Sequence, residues 1–393
     1  MKELRGRDLE IELAHLQRLA SIHRDNIYTL REQRAQYGIG VPIELESELS
    51  HQEEELAHCE ERIKTLRQEL AQRFPPELGE ILEFAKDIAK AGANVAGKYY
   101  RSSEENDILS EEGVKNLTTK ADKEANDAII QAIRSCYSKH HIIAEEGGDI
   151  EGYPNDKGFT WVVDAIDGTV NFFLKVPLFC TAIGILWNGE PCAGVIYDPI
   201  RKEMFFAQRG HPAYKEKPEE KLWGEEEWPK EIHTNFEEQL SRAVVLTHLS
   251  SRRHAREEFT SSGLLDAIAN AVRSIRALGS GQLALAYVAQ GQFHAFINNA
   301  TFSWDQTAGL VIVESAGGVV TDFKGNGWSI ESESIIAAAN ERIHDKLAAI
   351  VSALYPFEDP IAQQISVLLQ SNPDLAKELL DDLLTKVYRS VRR

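Results

Sequence analysis

Asp164 and Asp167 close the apolar run Trp161-Val162-Val163, and Gly168 and Thr169 follow at once. A strand that ends in two acids and a glycine delivers several oxygens to one point. Hard cations take many oxygen ligands, and two carboxylates with the Ile166 carbonyl between them can supply these. Gly168 permits a tight turn, and the N–H groups of Gly168 and Thr169 at the following helix start can meet a phosphate. A second cluster, His141-Ile142-Ile143-Ala144-Glu145-Glu146-Gly147-Gly148, runs a β-branched pair into adjacent glutamates, one of which can face a metal while the other faces water. A third is Ser303-Trp304-Asp305-Gln306-Thr307-Ala308-Gly309. There Ser303 and Gln306 fit a capping box, which puts Asp305 in the first turn of a helix that stops at Gly317-Gly318. Taken singly, the three compete with an Asp-rich turn, with solvated acids at a strand end and with a plain capping aspartate.

The elements that must position these groups fall into three segments. Over residues 1–75, Leu9, Leu13, Leu16, Ala20, His23, Ile27 and Leu30 alternate spacings of four and three, as do Leu45, Leu49, Gln52, Leu56, Cys59, Ile63, Leu66 and Leu70. These are heptad stripes, and Gly38-Ile39-Gly40-Val41-Pro42 between them predicts a coiled-coil-like antiparallel hairpin. Two helices alone bury little surface, so the hairpin calls for a partner: another copy, another protein or its own catalytic domain. The run from Arg24 to Gln33, followed by Tyr37-Gly38, resembles short helical modules that precede effector domains in some bacterial multidomain proteins, which favours an interaction role. Phe74-Pro75-Pro76 is the boundary. Over 76–355 helical and strand-like stretches alternate, which reads as a mixed α/β domain. Glu77–Gly97 is helical, and Thr160–Val163, Phe179–Trp187, Cys192–Tyr197 and Met204–Gln208 are strands. Leu222–Glu237 is a charged surface excursion. Over 356–393 a helix start at Ser371-Asn372-Pro373-Asp374 leads into the stripe Leu375, Leu379, Leu383 and Tyr388, a helical docking tail.

The 393 residues carry 43 basic and 62 acidic side chains, a net charge of -19. Phosphate backbones recruit basic surfaces, so nucleic acid is not the expected partner. A small phosphorylated substrate is compatible when cations sit between the two charges. No run approaches the roughly 18 apolar residues of a membrane span, and no apolar run follows the charged start, so a cytoplasmic protein with no membrane partner is expected. Cys59, Cys136, Cys180 and Cys192 form no CxxC pair and are expected to pack as small apolar side chains.

The three acidic clusters occur together, in order, in a sequence that resembles the inositol monophosphatase family. That family carries Glu-Glu, then Asp-Pro-Ile-Asp-Gly-Thr-Thr-Asn-Phe, then Trp-Asp-x-x-Ala-Gly. Leu117-Thr118-Thr119-Lys120-Ala121-Asp122, Gly194-Val195-Ile196-Tyr197-Asp198-Pro199 with Glu203-Met204-Phe205, the segment Arg276 to Gly291, Ala316 to Asp322 and Ile335 to Asn340 extend the resemblance over about 77–350. It implies a layered α/β/α/β/α sandwich and two or three Mg2+ ions. Glu145, Asp164, the carbonyl of Ile166, Asp167 and Asp305 would hold the metals. Gly168 and Thr169 would hold phosphate, with Asp305 and Asn298 also facing substrate. Thr169 and Asp122, with Glu145, would orient and activate a water for in-line attack without a covalent intermediate. The metal-free site would be less ordered and partly protonated. Ala165 stands where the family has proline, and Asn298 where the inositol-binding members have an acid that takes substrate hydroxyls. Arg252 and Arg253 fall near a substrate-lining region. The resemblance implies hydrolysis of inositol-1-phosphate or a related sugar or polyol phosphate by a homo-oligomer, commonly a dimer. Histidinol phosphate or adenosine bisphosphate hydrolysis remains an alternative, as does a regulatory effector controlled by the hairpin, which residues 1–75 and 356–393 motivate.

Overall fold

The computed structural model describes residues 2–37, 41–101, 108–112, 116–150, 158–217, 228–248 and 261–354. Residues 38–40 of the expected turn, residues 222–227 of the charged excursion, Arg252 and Arg253, and the tail from 356 onward lie outside them. The chain divides into two compact units, Met1–Pro75 with Arg209–His211, and Pro76–Gln208 with Pro212–Arg393.

The first unit holds the antiparallel hairpin. Helix α1 spans Lys2–Tyr37 and α2 spans Ile43–Ala71. Their seam is the predicted one: Leu13, Ala20, Cys59, Ile63, Leu66 and Leu70 are buried, with Leu9, Leu16, Leu19 and Leu56 packed against them. The polar members of the two stripes also meet, His23 Nδ1 lying 2.7 Å from Gln52 Oε1. Arg24–Glu60, Arg31–Glu53 and Arg34–Glu46 pair across the helices at half-exposed positions, where each contributes little.

The second unit is layered. Helices α3 (Leu78–Arg101) and α4 (Lys120–Cys136) cover one face of an eight-stranded sheet. Its strands are β3 (His141–Ala144), β4 (Gly148–Ile150), β5 (Phe159–Asp167), β6 (Cys180–Trp187), β7 (Glu190–Asp198), β8 (Glu203–Gln208), β9 (Ala213–Glu216) and β10 (Lys230–Ile232), in the order β10-β9-β8-β7-β6-β5-β3-β4. A ribbon of β1 (Ile108–Glu112) and β2 (Asn116–Thr119) precedes α4. After a short α5 (Thr169–Phe173) and α6 (Ser261–Ala271), the chain lays α7 (Gly281–Ala289) and α8 (Thr307–Ser315) between that sheet and a smaller one. The smaller sheet comprises β11 (Val244–His248), β12 (Ser274–Arg276), β13 (Ala295–Asn298), β14 (Val319–Thr321) and β15 (Ile335–Ala338), in the order β12-β11-β13-β15-β14. Helices α6 and α9 (Glu341–Leu354) close its far face. The expected α/β/α/β/α sandwich is therefore the fold.

Alternation along the small sheet divides two cores. Leu246, Phe296, Ile335 and Ala337 meet α7, α8 and the large sheet, whereas Val245, Ala295, Ile297, Ile336 and Ala338 meet α6 and α9. Helix α8 seats directly on the backbone of the large sheet. A Cβ on Gly194 of β7 would stand 2.2 Å from the Ala308 carbonyl oxygen, so this approach requires glycine. The stop after α8 is as expected, with Gly317 at φ 95°.

Candidate active site

The carboxylates meet because β5 is bulged. Asp164 pairs with Ala182 and Asp167 with Cys180, so three steps on β5 match two on β6. In a regular strand, side chains three apart point to opposite faces; one extra residue returns them to the same face. Strand β3 runs parallel to β5 with Ala144 opposite Val163, and the Glu145 N–H donates to the Val163 carbonyl at 3.1 Å. That register sets Glu145 beside Asp164.

Each carboxylate has a distinct surrounding. Asp164 is buried, and its Oδ1 has no hydrogen-bond partner among the described residues. Burial pushes it well above the usual carboxylate range, with the charges of Glu145, Asp167 and Asp305 adding to the effect. Glu145 is exposed as a residue, yet its carboxyl is shielded enough that desolvation first, then Asp305, Glu146, Asp122 and Asp167, raise it well above normal. Crowded like charges push it in the same upward direction as burial does. Asp167 is also raised by burial, against the pull of donors from the start of α7. Ser280 Oγ donates to its Oδ2, Gln282 N–H to the same oxygen at 2.7 Å, and Gly281 N–H to Oδ1 at 3.1 Å. Asp167 thus caps a helix N-terminus, where a negative charge is favoured.

Asp122 lies at the start of α4 in a capping box with Thr119, whose N–H donates to Oδ2 at 2.9 Å. Burial raises it, opposed by hydrogen bonds from Thr119 and Thr169. The Thr169 hydroxyl stands 3.1 Å from Asp122 Oδ1 and 3.2 Å from the Ile166 carbonyl. Gly168 precedes it at φ 97°, and a Cβ there would meet the Leu178 oxygen at 3.0 Å. Asn171 Nδ2 donates to the Leu178 and Leu278 carbonyls, both at 2.7 Å, which ties this turn to the segment leading into α7.

Asp305 departs from expectation. Helix α8 starts at Thr307 with Gln306 as N-cap and no side-chain cap bond, so Ser303 and Gln306 form no capping box and Asp305 precedes the helix. Its Oδ2 instead closes a turn, accepting from Phe302 N–H at 2.8 Å, while Gln306 Nε2 donates to the Ser332 carbonyl at 2.7 Å. The turn keeps Asp305 close enough to raise both Glu145 and Asp164. Asn298, at the end of β13, is buried, and its Oδ1 accepts from Ala300 N–H at 3.0 Å.

The donor set suits a hard cation. The buried Asp164 oxygen, with no partner among the described residues, and the neighbouring carboxylates whose charges raise Asp164 and Glu145 are the situation a divalent ion relieves. Among the described residues no three His, Cys, Asp or Glu side chains close into a ready-made cation cage. Asp167 and Asp305 instead accept from internal donors, Ser280, Gly281 and Gln282 on the one and Phe302 on the other. Ser280, Gly281, Gln282 and Asn171 were missed from the sequence. Ser280 before Gly281-Gln282-Leu283 is a helix-start signal, but nothing local says that its client is Asp167, 113 positions away. The four cysteines are free; Cys136 is exposed, and the other three are buried as expected. No described helix is long and apolar enough to cross a membrane.

The profile of the inositol monophosphatase family matches residues 77–355. A protein of Pseudomonas aeruginosa named Nus factor SuhB is 32% identical over 274 residues, covering 69% of this chain and 97% of the relative. Among solved structures, the extragenic suppressor protein suhB of Bartonella henselae is similar with a TM-score of 0.61 and 27% identity, covering 69% of this chain and 98% of that one. An inositol monophosphatase from Anabaena is similar with a TM-score of 0.59 and 26% identity, covering 72% and 99%.

Proposed function

The chain belongs to the inositol monophosphatase family, and from that premise we propose that it is a magnesium-dependent phosphomonoesterase acting on a small phosphorylated metabolite, inositol-1-phosphate or a related sugar or polyol phosphate. The observation that carries this reading is the meeting of the buried Asp164 and Asp167 with Glu145 and Asp305, one Asp164 oxygen having no partner among the described residues. In this reading Glu145, Asp164, the Ile166 carbonyl, Asp167 and Asp305 hold Mg2+. Bound cations supply Lewis-acid polarisation of water and phosphate and screen the carboxylates from the substrate dianion.

The chain's own groups do the positioning. Backbone amides of Gly168 and Thr169 receive the phosphate. Thr169 Oγ1 donates to Asp122 Oδ1, so its lone pair faces outward and accepts a hydrogen bond from the attacking water. Asp122, held by Thr119, stabilises the charge that develops on that pair. Water attacks phosphorus in line as the ester P–O bond breaks; one of its protons stays on the new phosphate oxygen, and the other is balanced by the proton that the departing alkoxide takes from solvent.

The test is phosphate release with and without magnesium from inositol-1-phosphate, histidinol phosphate, fructose-1,6-bisphosphate, adenosine 3′,5′-bisphosphate and an aryl phosphate. Magnesium-dependent release from any of them supports the reading, and the preferred one names the substrate class. A second reading, a regulatory protein built on the same fold, is favoured by the added hairpin and by the name Nus factor borne by a relative. Full metal loading without release from any substrate would favour it.

A further inference from the structure

Strands β11 and β13 run parallel, with His248 opposite Asn298 at their C-terminal ends. Side chains alternate across a sheet. Leu246 and Phe296 face the core shared with α7 and α8, so His248 and Asn298, two residues further on, continue that face. It is the face of the α7 start that holds Asp167, and a Cβ on Gly281 would stand 3.7 Å from the Phe296 ring. The same Gly281 Cβ would stand 3.5 Å from the Asp305 carbonyl oxygen, which brings the Phe296 end of β13 beside Asp305 as well. Both residues therefore border the carboxylate cluster from the small sheet. The amides allotted to phosphate come from the turn between β5 and α5, so the small-sheet groups meet the alcohol portion of a substrate.

Their chemistry is one-sided. The Ala300 N–H can be met only by an oxygen, which fixes the Asn298 amide with Oδ1 turned to the backbone. Its Nδ2 has no partner among the described residues, and it can only donate. The exposed imidazole of His248 offers an N–H in either charge state. An acid at 298 would accept from hydroxyls and repel anions; this pair does the reverse.

We propose that Asn298 and His248 form a donor subsite for a second anionic group on the alcohol part of the substrate, a carboxylate or a second phosphate. The preferred substrates are then phosphate monoesters of acidic alcohols rather than of neutral polyols. This rests on the phosphatase reading above but moves its substrate class, from inositol-1-phosphate and other neutral polyol phosphates to sugar or polyol phosphates that carry a second anionic group.

Two matched pairs test it on the full-length protein with magnesium. 3-Phosphoglycerate and glycerol 3-phosphate differ only in a carboxylate; fructose 1,6-bisphosphate and fructose 1-phosphate differ only in a second phosphate. The anionic member of at least one pair is expected to have a kcat/KM about tenfold or more above its neutral partner. Which pair responds tells the carboxylate from the phosphate. Asn298→Asp should lower that ratio by about tenfold or more, and His248→Ala by several fold. A ratio within one preparation does not depend on how much protein is folded, and His248→Ala, at an exposed position, serves if Asn298→Asp does not fold. Preference for the neutral member in both pairs, or ratios unmoved in both variants, would overturn the proposal. Release from p-nitrophenyl phosphate, which lacks a second group, reports the phosphatase reading separately. Should that fail, calorimetric binding of 3-phosphoglycerate against glycerol 3-phosphate still reads the subsite: tighter binding of the former supports it, and equal or weaker binding sinks it.

Discussion

At the scale of the residue, the site stores its cost in protons. Glu145, Asp164 and Asp167 all have their affinity for protons raised in the folded chain, by burial first. A carboxyl whose folded pKa exceeds its unfolded value near 4 stabilises the fold below that value, and the contribution is lost as pH rises through the folded pKa. The thermal midpoint of EDTA-treated protein should therefore fall as pH climbs from about 4, and magnesium should reduce the fall. A midpoint that declines equally with and without magnesium would contradict this. Saturating magnesium at about a hundredfold over its Kd should add about 2.7 kcal/mol. A second residue makes an independent prediction. The Tyr287 hydroxyl is buried, has no hydrogen-bond partner among the described residues, and is pushed up to about 12 by that burial. Tyr287→Phe removes a desolvated hydroxyl and breaks no bond, so chemical denaturation should show equal or greater stability. The acids themselves were legible in the sequence, because the three acidic clusters occur together and in the order of the resembled family, although each alone has an ordinary explanation. The lone Asp164 oxygen and the donor-only state of Asn298 were not, since both depend on which neighbours are satisfied elsewhere.

At the scale of the element, a bulge and two helix starts make the site. The β5 bulge brings Asp164 and Asp167 to one face, the α7 start holds Asp167, and the α4 start holds Asp122. Ser280→Ala removes a donor from Asp167 and the cap bond to Leu283 N–H. It should cost about 1 kcal/mol of stability and weaken magnesium binding, read by calorimetry. Gly194→Ala forces a methyl into the Ala308 carbonyl, shifting α8 and with it Asp305. A loss of about 1–3 kcal/mol in urea denaturation is expected; an unchanged midpoint would mean that the α8 seat is looser than the 2.2 Å approach implies. Period and turn chemistry made the layers, the hairpin and many strands readable. The capping box at Ser303 and Gln306 was misread because the local pattern fits a helix start, while Gln306 answers to Ser332 and Asp305 to Phe302. Long-range partners of that kind leave no periodic trace.

At the scale of the whole molecule, the phosphatase reading has an acidic chain of net charge -19 approach an anionic substrate, so that reading requires cations in the site to reconcile the two. The hairpin has its own apolar seam, in which Leu66 is fully buried. Leu66→Asp should unfold it, visible as lost helical circular dichroism, because an unpaired charge in a dry seam is not tolerated. Under the phosphatase reading turnover should persist; its loss would give the hairpin the controlling role of the alternative reading. The most direct test remains release of phosphate from an aryl phosphate across a magnesium titration, in the native protein and in Asp164→Asn. The account predicts a rate that rises and saturates with magnesium and falls by about a thousandfold or more in the variant. A rate independent of magnesium, or one unchanged in Asp164→Asn, would contradict it.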